Sequence, residues 1–551
     1  MPACAQLSTE LWLEIVRYVW DPPPVSSSPW ECDASNKWYI VEAYQRYEHH
    51  QSGRQDLVRL SLVSRRLAAI ARSHLWHFVA LTTGKSISDL SDTLGRWPDL
   101  GHYIRHLYCL EDLQGTSPDR DEHKEPIGAY SPDFIPPEDK LIMEKCFNTI
   151  LSFTPNLETL MFLFPDSETF LECTLPVLWK GVLKRPVFDH TWTEVEDDDR
   201  TYPSFSKLKT LQVCRDVHEQ NYRDSYRHGV FACNIVPLLH KLPHLQTLEV
   251  LADDGSIWFQ HLNEAGAQAL GPPAAPALYL LEFPTLLHVR LLHTCSIETH
   301  ISQLCWACVN LETLVIYFED AFPPEMDNAQ SQDPEVNQES RPPSLVKAIA
   351  ARSNTLQHLE IISPPCGNFL SRTHNEERRL SCLPQMTRLK HLTLDWRGLF
   401  GPYDTIDAAV AELGGLDGLL PPRLESFDLV CYWNDILAHD ENPDVQRKEV
   451  DTTITLLRQL HEQQRVGARD AAASKRPLRR VRLSTARENY NPLPEIAAAG
   501  MPEEGEAEAW FAPEWEFGWF SVPERFDAAA LNISDTASES GRTQRRLAMT
   551  Q

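Results

Sequence analysis

The chain lacks any apolar run approaching the roughly 18 residues a membrane helix needs, so a membrane-spanning protein is not expected. Its N-terminal MPACAQLSTELW has no basic start ahead of an unbroken apolar core, so no secretory signal is read there. Basic residues are scarce, 51 Lys and Arg against 78 Asp and Glu, a formal net charge of −27. That balance argues against a surface that embraces nucleic acid or an anionic membrane. Glycine is scarce beside proline, 22 against 40, so the connecting loops are expected to be stiff. Also missing are GxxxxGK[ST], GxGxxG and GxSxG, and with them the usual phosphate cradle, dinucleotide turn and hydrolase elbow. Carboxylates abound, but no pair stands out as an acid and a base.

The thirteen cysteines, Cys4, Cys109, Cys233 and Cys382 among them, are odd in number and scattered. That fits reduced thiols, and hence a cytoplasmic or nuclear protein, better than a disulfide framework. Cys305 and Cys308 form one CxxC with no second pair or HxxxH at finger spacing. Burial on a helix is the expected role for both; no metal and no cofactor are expected. The remaining composition, 42% apolar and 23% charged over 551 residues, is that of a folded chain. Length alone would suggest three or four domains at roughly 150 residues each.

Near the N-terminus, Leu7, Leu11, Ile15 and Val19 recur four apart with Trp12 and Val16 beside them. This is the stripe of an amphipathic helix. Ser8 is placed to cap it, and Glu10 and Glu14 sit near the positive end of its dipole. A second stripe, Leu57, Leu60, Val63, Leu67, Ile70 and Leu75, predicts one helix capped by Asp56 and ending near Trp76. Two helices are too few to bury their own apolar faces. They pack on the rest of the chain or meet a partner.

The residues LSTELWLEIVRYV, followed by DLVRLSLVSRRLAAIARSHLW, resemble the F-box. This helical module docks substrate receptors on the Skp adaptor of Skp–cullin–F-box ubiquitin ligases. The family's Leu-Pro-x-Glu-Leu stands here as Leu7, Ser8, Thr9, Glu10 and Leu11; its Leu-Val-Ser-Arg as Leu62, Val63, Ser64 and Arg65; its closing Leu-Trp as Leu75 and Trp76. Two departures accompany the match: Ser8 replaces the proline, and residues 21–55 replace a short turn. Loop length costs little by itself, since closure entropy grows logarithmically. The resemblance implies adaptor contact through Leu7, Leu11, Ile15, Leu60, Val63, Leu67 and Trp76.

Beyond residue 80 a triplet recurs: apolar, two variable, apolar, one variable, apolar. Its copies start at Leu157, Leu208, Leu245, Leu286, Leu311, Leu356, Leu389 and Leu424, with weaker ones at Ile104 and Leu478. NLET occurs twice, at Asn156 and Asn310. Helical stretches lie between copies, such as EKCFNTILSF and SLVKAIAARS. Short strand then helix, repeated, resembles a leucine-rich-repeat solenoid, in which each unit buries its apolar face against its neighbours. Spacings of 25 to 54 residues and the lack of an asparagine ladder after the strands predict an irregular arc with large loops.

The fold class expected is therefore α/β. An N-terminal helical F-box module over 1–80, with its insert at 21–55, precedes an irregular solenoid over 81–500, with parallel strands on the concave side and helices outside. An aromatic and acidic cap over 501–531 and a disordered tail over 532–551 complete it. Period-two alternation points the leucines inward and one central column outward. That column is Met161, Gln212, Glu249, Arg290, Val315, Glu360, Thr393, Asp428 and Arg482. It reads either as a surface for a protein substrate or as an ordinary solvated sheet face. The basic run Lys475, Arg476, Arg479, Arg480 and Arg482 reads as the last strand or as a nuclear-import signal. Three segments, 194–199, 319–340 and 503–527, supply −19 of the net charge, so the acidity resides in loops and cap rather than in the repeats.

By resemblance the chain is a non-catalytic substrate-recognition subunit of a Skp–cullin–F-box ligase. Its partners would be a Skp-type adaptor, cullin through it, and a protein substrate. The competing readings are a repeat scaffold not assembled with cullin and an enzyme with an unrecognised site.

Overall fold

Each copy of the apolar triplet forms a strand beginning two residues after its first apolar position. This holds throughout the computed structural model, which describes residues 8–19, 53–81, 84–109, 137–164, 203–215, 242–251, 282–294, 298–318, 344–362, 379–400, 416–431, 478 and 480–485. The expected insert at 21–55 lies outside these residues except for 53–55. Leu7, the cap and the tail lie wholly outside them.

The chain begins with helix α1 (Thr9–Val19), a helix over 53–61 (α2) and α3 (Arg65–Leu75). The strands are β1 (Phe78–Leu81), β2 (His106–Cys109), β3 (Thr159–Phe164), β4 (Thr210–Arg215), β5 (Thr247–Leu251) and β6 (His288–Thr294). They continue as β7 (Thr313–Phe318), β8 (His358–Ile362), β9 (His391–Asp395), β10 (Ser426–Cys431) and β11 (Arg480–Thr485). All belong to one 11-stranded sheet whose spatial order is the sequence order, each neighbour pairing parallel.

Parallel neighbours need a crossover, and helices supply several. Helix α4 (Gly84–Arg96) lies between β1 and β2, α5 (Pro137–Phe153) between β2 and β3, α6 (Glu298–Ala307) between β6 and β7, and α7 (Leu345–Ala350) between β7 and β8. The short α8 (Trp396–Phe400) and α9 (Leu416–Leu419) lie between β9 and β10.

Register repeats from strand to strand. The second apolar position of each triplet aligns, Leu107 with Leu160, Leu211, Leu248, Val289, Leu314, Leu359, Leu392, Phe427 and Val481. These residues share one continuous core, from Leu81 to Val481, with Ile87 and Leu94 of α4, Ile150 of α5, Ile301 of α6 and Ile349 of α7. Burial of one helix face against one sheet face is the favourable term here.

A backbone ladder fixes the register where the strands begin. The carbonyl before each of the strands β1–β9 accepts two N–H groups from the next repeat: His77 from Arg105 and His106 (2.9 and 3.1 Å), Glu158 from Lys209 and Thr210 (2.8 and 3.0 Å), Gln357 from Lys390 and His391 (2.8 and 3.1 Å). The NLET asparagines serve the same edge. Asn156 Nδ2 donates to the His102 carbonyl (2.7 Å), and Asn310 Nδ2 to that of Pro284 (2.8 Å). The side-chain ladder is thus at the strand starts, before the apolar triplet, and not after the strands.

Two expectations change, and a third, left open between packing on the chain and meeting a partner, takes the first course. First, the stripe from Leu57 to Leu75 is two helices, not one. The chain turns at Leu62 and Val63, and Ser64 caps the second helix, its hydroxyl accepting from Leu67 N–H at 3.2 Å. Asp56 lies inside α2 and pairs with Arg59 at 2.9 Å. Second, an extra copy of the triplet, Trp76, Val79 and Leu81, forms β1 across the expected boundary at residue 80. Third, the N-terminal helices pack on the sheet. Val16, Leu57, Ile70 and Ala71 join Phe78, Tyr108, Met161, Leu292 and Val315 in a second apolar cluster, on the sheet face away from α4–α7. Ser8 caps α1 as its position predicts, accepting from Leu11 N–H at 3.3 Å. Among the described residues no helix is long and apolar enough to cross a membrane.

Candidate interaction surfaces

Two surfaces carry the residues singled out in the sequence. The first is the side of the N-terminal helices turned away from the sheet. Leu11 is 51% exposed and Val63 71%, and beside them Leu62 is 81% and Val58 43% exposed. Leu60 and Trp12 are half-buried against the second cluster. Leu67 is buried, and Trp76 packs on the main core as the first residue of the first repeat. Ile15 lies in α1, and Leu7 falls outside the described residues. The helices therefore spend one side on the chain's own fold and keep a second apolar side bare. Leu62 and Val58 were missing from the expected contact set. The helical stripe that predicted Val63 runs straight through the turn at 62–63, which brings Leu62 out instead of in.

The second surface is the far face of the sheet. By register the expected column forms one row: Met161, Gln212, Glu249, Arg290, Val315, Glu360, Thr393, Asp428 and Arg482. It is not a solvated row. Met161, Glu249, Arg290, Val315 and Glu360 are buried, while Gln212, Thr393 and Asp428 are half-buried. At the β3 end the N-terminal helices account for this, since Met161 packs in their cluster. Further along, the row shares its face with a second one: His106, Thr159, Thr210, Thr247, His288, Thr313, His358, His391 and Ser426. Strands about 4.8 Å apart hold these side chains flank to flank.

The two rows join in a polar network. Gln212 Nε2 donates to Glu249 Oε2 at 3.2 Å, and Arg290 Nη1 lies 4.0 Å from that same oxygen. Tyr317 donates its hydroxyl to Glu360 Oε2 at 2.6 Å, while His358 Nε2 meets Glu360 Oε1. His288 Nδ1 and Thr313 Oγ1 are 3.0 Å apart, and the His358 and His391 rings 5.5 Å. A His two residues before the central position, as in His288 and His358, is the sequence signal that would have marked this second row.

The two carboxylates differ in state. Burial pushes Glu249 up to about 7, and the charge of Arg290 offsets it only in part. Burial would raise Glu360 as well, but His358 and the Tyr317 hydroxyl outweigh it and hold that carboxyl below the usual range. Burial, followed by the charge of Arg290 for His288 and of His358 for His391, lowers both imidazoles. They are neutral donors and acceptors near pH 7.

Burial also drives the Cys305 thiol up to about 12 and that of Cys308 well above its ordinary value. Both are packed in the core, Cys305 on α6 as expected and Cys308 one residue past its end. Among the described residues no group of three His, Cys, Asp or Glu is placed to hold a metal ion. No family model matches the chain, and no curated protein matches it either.

Proposed function

We propose that this chain is a substrate-recognition subunit of a Skp–cullin–F-box ubiquitin ligase. It binds a Skp-type adaptor through its N-terminal helices and a protein substrate through its repeats. One observation carries the reading: Leu11 and Val58 on the helices, and Leu62 and Val63 in the turn between α2 and α3, stay bare while other residues of α1–α3 are packed against the sheet. An apolar patch of this kind marks a protein interface. Trp76 then packs on the repeats and Leu67 is buried, leaving adaptor contact to Leu11, Val63, Val58 and Leu62, with Leu60 at the rim.

The subunit does no bond chemistry on this reading. It raises the effective concentration of target lysines at an active site belonging to another subunit. It would work in the cytoplasm or nucleus, where that machinery acts, with neither nucleic acid nor membrane as a partner.

Co-purification of the full chain with a Skp adaptor tests this. Leu11→Asp and Val63→Asp each place a charge in an apolar interface and are expected to weaken capture by about tenfold or more. Their own melting should be unchanged, because both sites are exposed. Capture gained only on deleting residues 22–54 would show that the insert blocks docking. Absence of capture in both forms would leave the scaffold reading in its place.

A further inference from the structure

We infer that the rim of the sheet where β7–β10 begin seats the chain's own acidic and aromatic segment 503–527, held there by Arg388, Lys390, Arg423 and the ring of Trp306. It would do so whether or not the chain binds a Skp adaptor.

A chain with a net charge of −27 has few cations to spare, yet this rim gathers them. In the turns leading into β7–β10, Arg352, Arg388, Lys390 and Arg423 stand against two carboxylates, Glu312 and Glu425. The repeat brings them together. Arg388 and Arg423 each precede the first apolar residue of a triplet, so adjoining repeats carry them at equivalent positions. Arg388 Nη1 donates to the Asn354 carbonyl at 3.5 Å, two residues beyond Arg352, and Lys390 Nζ lies 3.7 Å from Glu425. Arg388, Lys390 and Arg423 are exposed. The patch has an aromatic end as well. Trp306, in the last turn of α6, is 38% exposed, and the Arg352 guanidinium lies 5.9 Å from the centre of its ring. An exposed indole beside exposed cations suits a ligand that brings both carboxylates and aromatic rings.

Segment 503–527, outside the described residues, has that composition: eight acids against Arg525, with six aromatic residues from Trp510 to Phe520. It is also within reach. Strand β11 ends at Thr485 beside β10, and about 18 residues lead from there to Glu503. Extended, they span up to roughly 60 Å. The rim at β8 and β9 lies about 20 Å back along the strands and about 15 Å across them. The other long acidic stretch, 319–340, fits less well. It leaves β7 after Phe318 and returns at Ser344, the cap of α7, so both its anchors stand at the opposite rim, where the strands end. It carries one aromatic residue, Phe322.

Carbodiimide coupling of the full chain, which joins a lysine amine directly to a carboxylate in contact with it, tests this when the digest is read by mass spectrometry. Lys390 is expected to be joined to acids of 503–527, with Glu425 supplying a reference link from the same amine. A mixture of isotope-labelled and unlabelled protein should show the link within single chains. Arg388→Gln combined with Arg423→Gln, which adds no carboxylate to compete, is expected to lower its yield about fivefold relative to the reference. Salt at about 1 M should lower it similarly, since exposed charges are then screened beyond about 3 Å. Trp306→Ala should lower it about threefold, and serves if the double variant does not fold. Lys390 without a link to 503–527, links only between labelled and unlabelled chains, or a yield that these substitutions leave unchanged would each overturn the inference.

Discussion

Glu249 keeps its proton up to about pH 7 in the folded chain, while the same carboxyl in the unfolded chain has the ordinary value of 4.5. Between these values the native state binds more protons than the unfolded state. Stability from this group is therefore full below 4.5 and lost as pH rises through 7. His106 works in the opposite sense. Burial, and then the charge of His77, lower it from 6.5 to about 4, so the unfolded state takes up its proton first and stability falls as pH drops through that window. The two oppose each other from 4.5 to 6.5, and above 6.5 Glu249 acts without His106. Urea unfolding between about pH 6.5 and 8 should show the intact chain losing stability, on the order of 1 kcal/mol, the tail of a loss that runs mostly below pH 6.5. Glu249→Gln should flatten the loss. A slope unchanged by the substitution would mean that the carboxyl is already ionised at neutral pH.

The repeat unit is held by its edge as much as by its leucines, and Gly101 is where that edge is tightest. It lies in the 3-10 turn Pro98–Tyr103, and a Cβ there would fall 1.8 Å from the carbonyl oxygen of Phe153, the last residue of α5. Backbone meets backbone at that point, so no rotamer change relieves the clash. Gly101→Ala is expected to cost about 3 kcal/mol, the upper end for overpacking, and thermal melting would read it. The strands themselves were legible because their triplet is set by core burial, which leaves a period in the residues. The first copy was hidden because Trp76 and Leu75 also complete the F-box pattern, so one residue served two readings. The break at Leu62 and Val63 was hidden for a related reason: the 3.6-residue period runs through it, and only the Ser64 cap marks it. Burial of Glu249 and Glu360 was not legible at all. Alternation assigns a side chain to a face of the sheet but not what shares that face, and both acids lie on the side a solvated sheet would expose.

At the scale of the whole molecule the N-terminal helices do two jobs on opposite sides, and α1 separates them. Val16 is fully buried, in one cluster with Phe78, Tyr108 and Met161 of β1–β3 and with Leu292 and Val315 of β6 and β7. Leu11, five residues earlier on the same helix, is half exposed on the other side. A repeat array needs its exposed apolar surface covered, so the helices cover apolar residues on the far face of the sheet while Leu11, Val58, Leu62 and Val63 stay exposed. Charge placed on the two sides should have different consequences. Val16→Asp buries an unpaired carboxylate and should cost several kcal/mol. Because the array is held together pairwise, the loss should be local at first. Amide hydrogen exchange should show β1–β3 losing protection while β8–β10 keep theirs. Leu11→Asp should leave every strand protected and remove only adaptor capture. If Val16→Asp instead lowers protection evenly from β1 to β10, the sheet opens as one cooperative unit, and the helices are then part of its single core and not a cover on one end.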